Sequence, residues 1–238
     1  MNNEQGKLYL IPTTLGDNEP LEVLPLSVKK VIEELDFFIV ENEKTARRFI
    51  KQITPRKSQP SLTILKLDKY ADQLEVRTYL DVCVSGTSVG LLSEAGVPAI
   101  ADPGAEIVKL AHEKGIRVIP LVGPSSIILA MMSSGFNGQN FAFNGYLPID
   151  TSERKAAIKK LERLSRENNQ SQIFIETPYR NEKMLADLKS TLTPTAKLCI
   201  ACDITLQSEY IKTLTISDWK SETPDLHKRP TIFIIHKE

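Results

Sequence analysis

Along this chain, short apolar runs alternate with longer stretches in which apolar residues recur at helical spacing. Lys7–Thr13 (KLYLIPT) closes in Pro-Thr-Thr-Leu-Gly-Asp, the pattern of a buried strand ending in a turn. Ser27–Leu35 has helical spacing, Phe37–Val40 (FFIV) is a short strand, and Glu43–Ile53 (EKTARRFIKQI) is an amphipathic helix. A Pro/Ser-rich loop follows over Pro55–Ser61. Tyr70–Leu80 is expected to be a helix and Ser88–Leu92 a strand. Asp102-Pro103 predicts a helix start, with Asp102 as N-cap, Pro103 at the first helical position and Gly115 just past the end. Ile116–Leu121 reads as a strand. Gly123-Pro124-Ser125-Ser126 repeats the helix-start chemistry ahead of a helix that stops at Gly135.

Strand–helix–strand–helix order implies parallel pairing and the α/β class. The later chain changes character. Strands are expected at Asn140–Gly145 and Gln172–Glu176, a charged helix at Ser152–Glu167 and a second helix at Arg180–Leu188. Three β-rich runs close the sequence: Lys197–Asp203, Glu209–Ile216 and Thr231–His236. Adjacent strands with few helices predict a mixed sheet with antiparallel members. A boundary near Pro120–Gly123 divides the chain into two α/β domains, residues 1–120 and 121–238.

Composition narrows the partners. Thirty basic residues balance thirty acidic ones, so any nucleic-acid role rests on a local patch and not on overall charge. No apolar run approaches the roughly 20 residues of a membrane span. The polar start MNNEQGK reads as lacking a leader, and the cysteines are odd in number, so a cytoplasmic, reducing location is expected. Cys199 and Cys202 form CIAC, which reads as two small residues of a buried strand, because no second such pair or nearby histidine accompanies it. His112, His227 and His236 are scattered, and no metal site is expected.

In open α/β sheets, ligands bind beyond the carboxyl ends of the strands. Four strand-then-turn segments qualify: Ile11–Asp17, Leu91–Pro98, Leu121–Ser126 and Phe174–Arg180. The densest is Leu91–Gly104 (LLSEAGVPAIADPG), where Gly96, Pro98, Pro103 and Gly104 fix the backbone path and Glu94 and Asp102 add carboxylates. Asp102 is expected to serve its helix start. Glu176 and Arg180 form either a structural pair or part of a site. No GxGxxG, GxxxxGK[ST] or GxSxG pattern is present. Lys44, Arg47, Arg48 and Lys51, with Arg56 and Lys57, crowd one region and suit a phosphate backbone. A second basic run, Arg154 to Arg166, is interleaved with glutamates and reads as a solvated helix face.

Together these blocks resemble the tetrapyrrole methylase superfamily, the class III S-adenosylmethionine-dependent methyltransferases. They run in family order: LYLIPTTLGD, VENEKT, LLSEAGVPAIADPG, VIPLVGPSS, FNGYLP, FIETPYR and ACDIT. The nearest likeness is to the rRNA small-subunit branch, which methylates a ribose 2′-hydroxyl of a cytidine in 16S rRNA. The resemblance implies two α/β domains with S-adenosylmethionine in the cleft between them, usually in a homodimer, and rRNA or the small ribosomal subunit as partner. Carried over, Pro12, Leu15 and Gly16 line the cofactor, as do Glu94, Ala95, Gly96 and Pro98, then Ser125 and Ser126. Glu176, Asp203 and Pro230 join them from the second domain. The sequence departs from the pattern in three places. Glu94 stands where the family usually has aspartate, Arg229-Pro230 where it usually has Gly-Glu, and the chain stops soon after its last strand.

Methyl transfer from a sulfonium asks the protein for alignment and exclusion of water. A ribose hydroxyl also benefits from a base, and Glu41, Glu94 and Glu176 are the candidates. Two other readings stand beside rRNA methylation: a same-fold methyltransferase acting on a tetrapyrrole or other small molecule, and a non-catalytic cofactor- or RNA-binding protein.

Overall fold

The computed structural model describes residues 5–68 and 70–238; Met1–Glu4, the first part of the polar start, and Lys69 lie outside the described residues. The chain divides into two compact units between Ser125 and Ser126. Each has its own five-stranded sheet.

The first unit runs β1 (Lys7–Ile11), α1 (Pro20–Val23), α2 (Leu26–Glu34), β2 (Phe37–Val40), α3 (Glu43–Ile53), β3 (Thr63–Lys66), α4 (Gln73–Val76), α5 (Asp81–Val84), β4 (Val89–Leu92), α6 (Ala105–Glu113) and β5 (Arg117–Pro120). Its sheet has the order β3-β2-β4-β1-β5, and every pairing is parallel. Successive strand side chains point to opposite faces. Ile11, Phe38, Val40 and Leu92 meet Leu24, Val28, Ile32, Phe49 and Ile50 on the α1–α3 side. Leu8, Ile39, Val89 and Leu91 meet Val76, Leu80, Cys83, Ile107 and Ala111 on the other. Each fully buried Phe or Ile of this kind contributes about 1.5–3 kcal/mol relative to exposure.

This winding positions the site. The connection after β1 leaves on one face of the sheet, and the connection after β4 leaves on the other. Because β1 and β4 are neighbours, their departing chains open a crevice at the carboxyl ends of the strands.

Helix α3 borders that crevice. Asn42 Oδ1 accepts from the N–H groups of Lys44 at 2.9 Å and Thr45 at 3.3 Å, capping the helix start. Ala46, Phe49, Ile50 and Ile53, spaced for one helical face, anchor it to the sheet.

Three sequence expectations change. Only Gln73–Val76 of the expected helix at 70–80 is helical. The backbone then turns through tighter bonds, Thr78 to Glu75 and Tyr79 to Val76, which bring Tyr79 and Leu80 onto the sheet. Strand β3 was hidden because it is a half-exposed edge with polar ends. The N-cap of α6 is Gly104, without a side-chain cap bond, so Asp102 does not cap this helix.

The second unit runs α7 (Ser126–Ser133), β6 (Phe141–Tyr146), α8 (Thr151–Asn168), β7 (Ser171–Ile175), a short 3-10 turn (Pro178–Arg180), α9 (Asn181–Thr191), β8 (Lys197–Cys202), β9 (Tyr210–Thr215), α10 (Ile216–Trp219) and β10 (Thr231–His236). Its sheet, β6-β7-β10-β8-β9, pairs β6 with β7 in parallel and is otherwise antiparallel, the expected mixed sheet. Phe174 and Phe233 stack at 5.6 Å in a core shared with α8, α9 and α10.

Asp150 caps α8, but Arg154 leaves its basic face. It is 2% exposed and donates to Asp187 Oδ2 at 2.8 Å and to the Ile149 carbonyl at 2.6 Å. Cys199 and Cys202 are free and buried, and burial raises both thiol pKa values. Three positions apart on β8, they face opposite sides of the sheet, as befits core residues.

Candidate active site

At the carboxyl ends of β1 and β4, the turns are stitched together. The Thr13 N–H donates to the Gly96 carbonyl at 3.0 Å, and the hydroxyls of Thr13 and Ser93 lie 3.3 Å apart. The Ser93 hydroxyl donates to the same Gly96 carbonyl. Both side chains are buried. Gly96 has φ +73°, and a Cβ there would lie 2.9 Å from both Leu15 Cδ2 and the Pro124 carbonyl oxygen. Three segments singled out in the sequence therefore meet in the first unit: the turn of Thr13–Gly16, the turn of Ser93–Gly96, and Pro124 beyond β5. Further along the second turn, Ala99 and Ala101 have φ of 64° and 62°. Such residues cost of order 1 kcal/mol each and cluster where function fixes the backbone.

Glu94 projects from this turn. Its Oε1 accepts from the Thr45 hydroxyl at 2.7 Å. Two hollows adjoin it. One, of about 210 Å³, is lined by the backbone and side chains of Thr13–Asn18 with Thr45, Arg48, Phe49, Gln52, Ser93 and Glu94. The other, of about 600 Å³, is an open groove edged by Glu41, Asn42, Lys66, Asp68, Tyr70, Glu94, Pro103 and Glu106. Burial pushes the Asp102 carboxyl up to about 6, and the charges of Glu41 and Glu94 push it the same way. Burial likewise raises Glu41, helped by Glu94 and Asp68. Asp102 thus belongs electrostatically to Glu41 and Glu94. Sequence reasoning had assigned it to the helix start because Asp-Pro-Gly is also a capping signal.

The basic residues of α3 and the loop after it divide in two. Arg47 Nε donates to Glu43 Oε1 at 2.7 Å and its NH1 to the Gln59 carbonyl at 2.7 Å. Lys57 is held by Asp36 at 3.0 Å. Lys44, Arg48 and Lys51 are exposed and form no ion pair among the described residues. Their spacing puts them on one stripe of the helix, with Arg48 at the smaller hollow.

In the second unit, β7 and β8 end where β10 begins, because Ile175 pairs with Ile232 and Cys202 with Thr231. Glu176, Asp203 and Pro230 therefore gather at one end of the sheet. Glu176 is buried, and its Oε1 accepts from the Thr177 N–H and Arg180 NH2, both at 2.6 Å. Asp203 Oδ2 accepts from Arg229 Nε at 2.7 Å and the Ser208 hydroxyl at 2.8 Å. Both carboxylates are thus occupied by structural partners. Ser126 opens α7 in this unit, while Ser125 closes the first. Among the described residues, no His/Cys/Asp/Glu group is arranged to hold a metal, and no helix is long and apolar enough to cross a membrane.

A parallel doubly wound sheet followed by a mixed sheet, with Gly/Pro-rich turns converging at the strand ends, defines the class. The family model for Tetrapyrrole (Corrin/Porphyrin) Methylases matches residues 7–219. The chain belongs to this family of S-adenosylmethionine-dependent methyltransferases. Among its relatives is the ribosomal RNA small subunit methyltransferase I of Vibrio cholerae, 27% identical over 232 residues, covering 96% of this chain and 76% of the relative. The protein of the same name from Leptospira borgpetersenii is 31% identical over 209 residues, covering 87% and 78%. The fold is also that of the methyltransferase CobJ, with TM-score 0.64, 15% identity and coverage of 98% and 94%. It is likewise that of a uroporphyrin-III C-methyl transferase from Thermus thermophilus complexed with S-adenyl homocysteine, with TM-score 0.59, 16% identity and 98% coverage of both chains.

The first unit suits such a cofactor. The smaller hollow offers backbone turns and polar side chains, and its carboxylates Asp17 and Glu94 outnumber its one lining cation, Arg48, a balance that favours a cationic group.

Proposed function

We propose that this chain methylates a ribose 2′-hydroxyl of a cytidine in small-subunit rRNA. The observation that carries this reading is the pairing of a carboxylate with a cationic stripe on one element. Thr45 of α3 holds Glu94 at the crevice, and Lys44, Arg48 and Lys51 of the same helix are exposed for phosphate. The names of the chain's relatives support the substrate.

The turns at Thr13–Gly16 and Glu94–Gly96 would hold S-adenosylmethionine, which supplies a methyl group already activated on a sulfonium. The chain's own work is to bring the acceptor hydroxyl into line, exclude water and take a proton. Bound there, the cofactor would give up its methyl group, the S–CH3 bond breaking with its electron pair left on sulfur as the acceptor oxygen gains the O–CH3 bond. The hydroxyl proton passes to the Glu94 carboxylate and then to solvent. Glu94 is preferred over Glu176, whose Oε1 is taken by Arg180 and Thr177. Glu41, whose pKa is raised by burial and by the charges of Glu94 and Asp68, stands beside Glu94 as the second candidate base.

A small-molecule substrate fits less well. The groove beside Glu94 presents Glu41 and Glu106, with Asp68 paired to Lys66 at 2.6 Å, and the surplus of carboxylates repels a carboxylate-bearing tetrapyrrole, whereas a neutral nucleoside can lie there with its phosphates on α3. The test is methyl transfer to small ribosomal subunits from a strain lacking this gene, read by mass spectrometry of the released nucleosides. 2′-O-methylcytidine is expected. Transfer to a tetrapyrrole with none to rRNA would reverse the assignment.

A further inference from the structure

We infer that Thr45 is a positioning residue for methyl transfer, holding one oxygen of Glu94 so that the other faces the acceptor hydroxyl. This rests on the reading above, in which Glu94 receives the proton.

Thr45 is well placed for that work. It is the third residue of α3, and its N–H is fixed by the Asn42 cap at 3.3 Å. Its hydroxyl has two acceptors in reach, Glu94 Oε1 at 2.7 Å and the Asn42 carbonyl at 3.0 Å. A hydroxyl carries a single proton to donate. The shorter bond to an ionised carboxylate is the stronger of the two, so Glu94 takes it. Oε1 is thereby engaged, and Oε2 accepts no hydrogen bond among the described residues.

Glu94 needs this support. Its main chain is fixed by Ser93 and Gly96, but its side chain is exposed and free to change rotamer. The Thr45 bond bridges 49 positions of sequence and joins the β4 turn to α3. An aspartate at position 94 would end a methylene short of it. The helix that aims the carboxylate also carries Lys44 and Arg48. Phosphate docking and the aim of the proton acceptor are therefore set by a single rigid element.

The experiment compares Thr45→Val, which keeps the shape and loses the donor, with Thr45→Ser, which keeps the donor. Both are assayed for methyl transfer to small subunits, with kcat and KM measured for RNA and cofactor and Tm recorded. Thr45→Val is expected to lose about tenfold or more in kcat, part of the roughly 10²–10⁴-fold that a positioned base supplies, with both KM values within about twofold. Thr45→Ser should keep at least about half of kcat, and Glu94→Asp, with Thr45 intact, should fall as Thr45→Val does. Equal losses in the Val and Ser variants, a loss confined to KM, or a normal Thr45→Val overturns the role of Thr45. Wild-type protein that transfers no methyl group to rRNA overturns the underlying reading instead, and Thr45's role with it.

Discussion

Arg229 Nε lies 2.7 Å from Asp203 Oδ2, joining two loops at one end of the second sheet. The guanidinium also donates to the Asp225 carbonyl at 2.6 Å and the Ser208 carbonyl at 2.5 Å. The fully buried Asn181 holds the Arg229 carbonyl at 2.7 Å. Asp203, Thr205 and Lys228 all sit at positive φ in these loops. Left-handed non-glycine residues persist only where their surroundings hold them, and Arg229 adds its side-chain ties to the backbone bond from the Asp203 N–H to the Pro230 carbonyl at 2.9 Å.

Replacing Arg229 should therefore cost more than a surface pair does. Arg229→Ala strands the nearly buried Asp203 carboxylate and releases the strained loops. The expected loss is about 2–3 kcal/mol, read by denaturant unfolding of the whole chain. Amide exchange at 203–209 should accelerate at the same time. Arg229→Lys keeps the charge but not the fork of donors, and should fall between the two. An unchanged midpoint for Arg229→Ala would show that the loops hold themselves.

Asp102 makes the opposite prediction. Its folded pKa of about 6 lies above the unfolded value near 3.9. Its contribution to stability is thus fully present below about pH 4 and is lost as pH rises through about 6. At pH 8 the folded protein carries an unfavourable charge beside Glu41 and Glu94. Asp102→Asn removes that charge while keeping the shape. It should stabilise the protein by about 1–2 kcal/mol at pH 8, allowing for solvent screening, with the gain vanishing near pH 4. Melting curves at the two pH values decide it; a gain independent of pH would point to packing.

How legible was this in the sequence? The strands and helices with strong periodicity were readable almost to the residue, as Phe37–Val40 and Glu43–Ile53 show. So were the parallel first sheet and the mixed second one, because strand–helix alternation and bare strand succession leave different patterns. What could not be read depended on contacts far apart in the chain. Thr45 is an ordinary helix residue until the fold brings Glu94 to it. Arg47 and Arg48 look alike in sequence, yet only one is spent on Glu43 and Gln59. The edge strand β3 carries no alternation strong enough to announce itself, since only its middle is half-buried.

That division among the α3 cations gives a third prediction. Lys44, Arg48 and Lys51 should each release about one counterion on binding RNA, and Arg47 should not. The triple change to alanine is expected to lower the slope of log affinity against log salt by about 2, at roughly 0.7 per phosphate contact for single strands. Arg47→Ala should leave the slope unchanged and lower stability by about 1 kcal/mol through its lost bond to the Gln59 carbonyl. Equal slopes for the triple variant and the wild type would remove α3 from the RNA interface.

The fourth prediction concerns the junction of the three turns. Gly96 combines φ +73° with a Cβ position 2.9 Å from both Leu15 Cδ2 and the Pro124 carbonyl oxygen. The leucine side chain can move aside, but the carbonyl belongs to backbone and cannot do so cheaply. Gly96→Ala therefore adds a clash to the usual cost of a left-handed alanine, for a total of about 2–3 kcal/mol. Gly115 is the control, because it has φ +67° with nothing within 4 Å of its Cβ position. Gly115→Ala should cost only about 1 kcal/mol and leave methyl transfer intact. Gly96→Ala should in addition weaken cofactor binding, measured by calorimetry at a temperature where both variants are folded. The reason is geometric: the clash pushes the Glu94–Gly96 turn away from Thr13–Gly16, and the crevice between β1 and β4 opens at the place where the cofactor would be held. Equal cofactor affinity in the two variants would mean that the turn tolerates the displacement and that the hollow beside Glu94 is not the cofactor's seat.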